Sequence, residues 1–165
     1  MATPTTLPST FVPGAILTAA QQNDLRGAFR VLQVVQYTYA TQTDHNSSTY
    51  SSTGLTGAIT PSENTNKVLV LAFVNGTVKG AENAGNAVNL EIKRATTQIA
   101  EVKNLHLTST LLLIIGTCFI SVLDAPATTS STTYVVNAKN SFNGATVRTQ
   151  QDNVTSTLIL AEISA

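Results

Sequence analysis

Short segments with a two-residue period constrain this chain more than any other feature. Val88, Leu90 and Ile92 alternate with Asn89, Glu91 and Lys93. Successive strand side chains point to opposite faces, so this pattern marks a strand with one face in a core and the other in water. Leu55, Gly57 and Ile59 alternate with Thr56, Ala58 and Thr60, and Thr157, Ile159, Ala161 and Ile163 give a terminal strand. Val31 to Thr41, Lys67 to Val74, Gln98 to Val102, Leu111 to Val122, Tyr134 to Ala138 and Ala145 to Gln150 complete the series. About nine short strands separated by Gly, Asn, Ser and Pro predict an all-β fold, and a jelly-roll-like antiparallel β-sandwich suits the number.

The N-terminal part reads differently. Pro4, Pro8 and Pro13 fall in the first 14 residues and favour an extended arm. Thr18-Ala-Ala-Gln21 matches a capping box, which predicts one short helix over Ala19 to Arg26. The helix is too short to stand alone and needs a surface to dock on. The chain therefore divides into residues 1–28, an arm with a short anchoring helix, and residues 29–165, the sandwich. Phe11, Val12, Pro13, Ile16, Leu17 and Leu25 are the candidate anchoring residues.

Charge narrows the function classes. Lys and Arg number 9, Asp and Glu number 9, and charged residues are 11% of the chain. That is less than half the usual share and leaves no net positive charge for binding nucleic acid. Solubility rests on Ser, Thr and Asn instead, which make up 53 of 165 residues. The apolar run Leu111 to Leu123 is shorter than the roughly 20 residues a spanning helix requires. It is expected to be a strand, not a membrane segment. No signal-peptide pattern opens the chain.

Two strands lack alternation. Val68 to Val74 and Leu111 to Leu123 are apolar at both parities. The outer face of a sandwich normally meets water, so something must cover these strands. Subunit contacts are expected there, with Val68, Val70, Leu111, Leu113 and Ile115 as candidates.

Catalytic chemistry finds little support. Cys118 is the single cysteine and sits in an apolar run, where a thiol is buried and inert. His45 lies in a polar stretch and His106 between Leu105 and Leu107. Neither has metal-ligand company, and replacing either is expected to leave assembly near normal. The carboxylates are scattered, and no Gly-x-Ser-x-Gly elbow or phosphate-binding glycine loop occurs. No catalytic residue, metal or cofactor is expected.

The stretch Phe11-Val-Pro-Gly-Ala-Ile-Leu-Thr-Ala-Ala-Gln-Gln-Asn-Asp-Leu25 resembles the opening of small tailed-bacteriophage virion proteins. Val31-Leu-Gln-Val-Val-Gln36, Thr53-Gly-Leu-Thr-Gly-Ala-Ile-Thr-Pro-Ser62, Lys67 to Leu71 and Ser156-Thr-Leu-Ile-Leu-Ala-Glu-Ile163 are similar to pieces of marine and cyanobacterial phage structural proteins. The resemblance implies a non-enzymatic virion surface protein, a homotrimeric jelly roll of the capsid decoration or cement type. Its arm would bind other virion proteins of the capsid or tail. The alternative it leaves open is a tail or head fibre that binds a host receptor or glycan.

Overall fold

The computed structural model describes residues 31–81, 84–142 and 145–164, with isolated positions 14, 16, 18 and 19 before them. The arm and the helix expected over Ala19 to Arg26 otherwise lie outside the described residues.

Ten strands follow in chain order: β1 (Val31–Tyr39), β2 (Thr43–His45), β3 (Ser51–Ile59), β4 (Lys67–Lys79), β5 (Val88–Arg94), β6 (Thr97–Leu105), β7 (Ile114–Asp124), β8 (Thr132–Asn140), β9 (Val147–Thr149) and β10 (Ser156–Ile163). All pairings are antiparallel. β1 and β2 run along β10 and β9, so each pair acts as one interrupted strand. One sheet then reads β1/β2, β9/β10, β4, β7, and the other β3, β8, β5, β6. Consecutive strands change sheet except across the β5–β6 hairpin. Eight strands in this order form a jelly-roll sandwich.

The core lies between the sheets. Val70, Ala72, Ile120, Leu158 and Leu160 from the first sheet meet Leu55, Leu90, Ile92, Tyr134 and Val136 from the second. Each fully buried Val, Leu or Ile contributes about 1.5–3 kcal/mol relative to exposure. A polar staple ties the sheets at one end. Arg94 donates from Nη1 to both Asp124 oxygens at 2.8 and 2.9 Å, and Tyr134 Oη donates to Asp124 Oδ2 at 2.7 Å.

The alternating strands fall where the sequence places them, with β5 burying Val88, Leu90 and Ile92. Three expectations change. The polar stretch 41–53 holds β2 and the first residues of β3, because Thr43 to His45 find pairing partners in β9. β4 continues past Val74 to Lys79, beyond the end of the Lys67 to Val74 run. β7 begins at Ile114, so Leu111 to Leu113 are loop and not strand.

The first sheet is broken at one level. β1 gives way to β2 at 40–42, β4 shifts register between Val74 and Thr77, and a 3-10 turn, Gln151–Asn153, separates β9 from β10. Side chains replace the lost ladder. Asn75 N donates to Ser156 Oγ at 2.9 Å, Asn75 Nδ2 to Thr155 O at 2.6 Å, and Gln42 N to Asn153 Oδ1 at 3.2 Å. Gly76 takes a φ of 59°, and a Cβ there would stand 2.6 Å from Gln151 N and 2.7 Å from Val154 Cγ2. Backbone strain and a clash with main chain combine, so Gly76→Ala is expected to cost about 2 kcal/mol, read as a lower urea midpoint. Gly85→Ala is the control. It shares the positive φ, but its Cβ would meet only Phe142 at 3.7 Å, so its loss should be near 1 kcal/mol.

Candidate interaction face

The two outer faces of the sandwich differ in chemistry. On the second sheet, cross-strand register sets Glu91 opposite Glu101 and Asn137. Asn137 Nδ2 donates to Glu91 Oε1 at 2.8 Å, Lys93 lies 3.5 Å from Glu91, and Lys103 lies 3.0 Å from Glu101. Tyr50 Oη donates to Glu101 at 2.6 Å, and the Lys139 ammonium sits 4.3 Å above the Tyr50 ring. This face is polar, and its side chains cover one another, leaving Glu91 1% exposed.

Two carboxylates ten residues apart in sequence thus meet in register. The environment of Glu101 removes it from acid–base work. The Tyr50 hydroxyl and Lys103 hold Glu101 below the usual carboxylate range. Burial, then the Glu101 hydrogen bond, push the Tyr50 phenol up. An acid held ionised beside a phenol held protonated exchanges no proton near neutral pH.

The outer face of the first sheet is apolar. Register places Val34, Ala161, Leu69 and Leu123 in one row and Gln36, Ile159, Leu71 and Ser121 in the next. Thr38, Thr157, Phe73 and Phe119 form the third. The Phe73 and Phe119 rings stack with centroids 4.7 Å apart and an interplanar angle of 37°. Val34, Phe119, Leu123 and Ile115 are each more than half exposed. In these strands the one charge at this parity is Lys67, at the sheet end opposite Ile163.

The β6–β7 loop carries further exposed apolar side chains. Leu107, Leu111, Leu112 and Leu113 are each more than half exposed. Lys79, fully buried, donates from Nζ to Thr110 O at 3.0 Å and Leu112 O at 3.1 Å. His106 Nε2 pairs with the Thr77 hydroxyl at 2.8 Å, and that hydroxyl also reaches Gly116 O at 3.1 Å. The loop backbone is therefore tied to β4 while its leucines face outward. A buried ammonium with carbonyl partners is a costly device, and here it fixes the path of the leucine loop.

The expected site residues divide accordingly. Val68 and Val70 have no exposed surface and belong to the chain's own core. They cannot touch a second chain, and in this strand Leu69, Leu71 and Phe73 are the residues on the outer face. Leu111 and Leu113 are exposed in the loop, and Ile115 is exposed on β7. Ile16 is 92% exposed, while Phe11, Val12, Pro13, Leu17 and Leu25 lie outside the described residues. Phe119 and Leu123 were within the apolar run, yet parity alone cannot tell the inward from the outward set when both are apolar.

A shallow depression of about 430 Å³ opens where the first sheet breaks, lined by Asn75, Gln151, Asp152, Val154 and Ile115 among others. Asp152 is its one titratable group, so no acid–base pair forms there. Among the described residues, no group of three or more His, Cys, Asp or Glu could hold a metal, and no helix is long and apolar enough to cross a membrane. Burial raises the pKa of the Cys118 thiol, which keeps it protonated. His45 is also buried, with Nδ1 at 2.7 Å from Ser51 Oγ and Nε2 at 3.2 Å from Thr149 Oγ1. It joins β2 to β3 and β9, so its replacement is not the neutral change that its polar sequence neighbours suggest.

No family model matches the chain, and no curated protein matches it in sequence. Among solved structures it is similar to the VP2 subviral particle of infectious bursal disease virus, at 13% identity and a TM-score of 0.39 over 81% of this chain and 34% of that one. It is also similar to dimeric latent PorU from Porphyromonas gingivalis, at 12% identity and a TM-score of 0.37 over 78% of this chain and 13% of that one. The chain thus spans about a third of the first protein and about an eighth of the second.

Proposed function

We propose that this chain is a non-enzymatic structural subunit of a phage particle, a homotrimeric decoration or cement protein held to the particle by its N-terminal arm. The observation that carries the reading is the asymmetry of the sandwich. One outer sheet face is polar and suited to water, and the other is apolar across four strands. Large exposed apolar faces on soluble chains mark interaction surfaces. The phage-like sequence segments supply the setting, and the isolated carboxylate of the depression offers no competing catalytic centre.

Deletion of residues 1–17 tests the anchor. The described strands of the sandwich lie at or after Val31, so the shortened chain is expected to fold and stay soluble. It is also expected to lose attachment to particles that lack the protein, measured by co-sedimentation. Normal occupancy by the shortened chain would show that the arm is not the anchor. Copy number on the particle separates decoration, present in many copies, from a fibre, present in few.

A further inference from the structure

We infer that a second copy of this chain seats on the outer face of the β1–β10–β4–β7 sheet, with the leucine loop 107–113 at the margin of the contact. The inference rests on the assembly reading and gives that assembly a surface.

Area comes first. Four strands about 4.8 Å apart, eight or more residues long at about 3.3 Å each, make a face on the order of 600 Å². That is most of the roughly 800 Å² that a stable interface takes from each partner. Charge comes second. Lys67 at one end is the one charged side chain at this parity, so the face offers little to a charged peptide or an anionic lipid surface. Apolar surface on neighbouring copies around a closed symmetry axis is its natural complement, because uncharged faces gain by leaving water together.

The edge of the sheet agrees. Among the described residues β7 pairs with β4 alone, which makes it the edge strand of this sheet. Residues 114–123 contain no Pro, Lys or Arg, the residues that usually guard an edge strand. A neighbouring copy shields this edge as well as the face.

The test uses the full-length protein. Sedimentation at micromolar concentration is expected to show a closed oligomer. Phe119→Lys should raise its dissociation constant by roughly 30-fold or more while circular dichroism and thermal unfolding report a folded sandwich. In a Cys118→Ser background, Ser121→Cys on this face should cross-link copies through a short bismaleimide. Thr133→Cys, on the outer face of the opposite sheet, should not. The cross-link decides the matter if Phe119→Lys fails to fold. A monomeric wild type overturns the inference, as does a folded Phe119→Lys that stays oligomeric or a cross-link confined to Thr133→Cys. A monomeric wild type that still coats particles overturns this inference alone. An oligomer joined through this face but absent from particles supports the inference and overturns the virion reading.

Discussion

Acidification from pH 7 to pH 4 is expected to remove about 3 kcal/mol of folding stability through His45 alone. The ring is 2% exposed between β2, β3 and β9. Burial lowers its pKa from 6.5 to about 4, against the opposing pull of neighbouring Asp44. The folded state therefore holds His45 neutral, while the unfolded chain takes up a proton below pH 6.5. The unfolded state binds more protons throughout that window, so stability falls with pH between 6.5 and 4 and levels off below. Urea midpoints from pH 7 to pH 4 give the slope. His45→Gln should start less stable at pH 7 and lose most of the slope. An unchanged slope in the variant would assign the acid sensitivity elsewhere. β2 is three residues long, so local opening of β2 from β9 can admit the proton before global unfolding, which makes 3 kcal/mol an upper figure.

The number of strands and their arrangement in a sandwich were legible because alternation survives wherever one face meets water. β5 shows this directly, since Val88, Leu90 and Ile92 lie inside at the parity the pattern assigns, whereas β10 reverses it, with Leu158 and Leu160 inside and Thr157 and Ile159 on the outer face. Legibility fails where both parities are apolar. In β4 the two-sided run announces that a second face needs cover, but it does not say which residues form it. The answer came from register, which sets Leu69, Leu71 and Phe73 beside Ile159, Ser121 and Phe119 on the outside.

The leucines at 111–113 were expected in a strand because apolarity was their visible property. What lifts them out of the strand is the Lys79 ammonium holding the Thr110 and Leu112 carbonyls, and the loop threonines. A lysine at the end of a strand gives no hint in sequence that it will be buried. His45 fails for the same reason. Its neighbours are polar, and its burial follows from two strands that meet only in the fold.

Replacing Glu162 by Ala is expected to cost roughly 3–4 kcal/mol, and by Gln roughly 1–2 kcal/mol. Glu162 is fully buried near the end of β10, and none of the ion pairs among the described residues includes it. Hydrogen bonds hold it instead. Gln33 Nε2 donates to Oε2 at 2.5 Å, while Ser62 N, Ser62 Oγ and Asn66 Nδ2 donate to Oε1 at 2.7, 2.7 and 2.6 Å. Burial alone would raise this carboxyl, but these donors outweigh it and hold the pKa below 4.5. Alanine leaves the donors of the 60–66 connection unpaired at once. Glutamine keeps the Oε1 position as a carbonyl and its three donors. Its amide then faces Gln33, which must turn its own oxygen inward and give up its 2.7 Å bond to Thr60 O. The pH dependence separates this site from His45. A depressed carboxylate stabilises above its unfolded pKa and loses that contribution as pH falls through the folded value. The Glu162 share therefore persists through the His45 window and disappears only below about pH 4.5. Denaturation of Glu162→Gln should leave the slope between pH 6.5 and 4.5 intact and flatten the further loss below it. A flattened upper slope instead would place the titrating group of that window at Glu162 and not at His45.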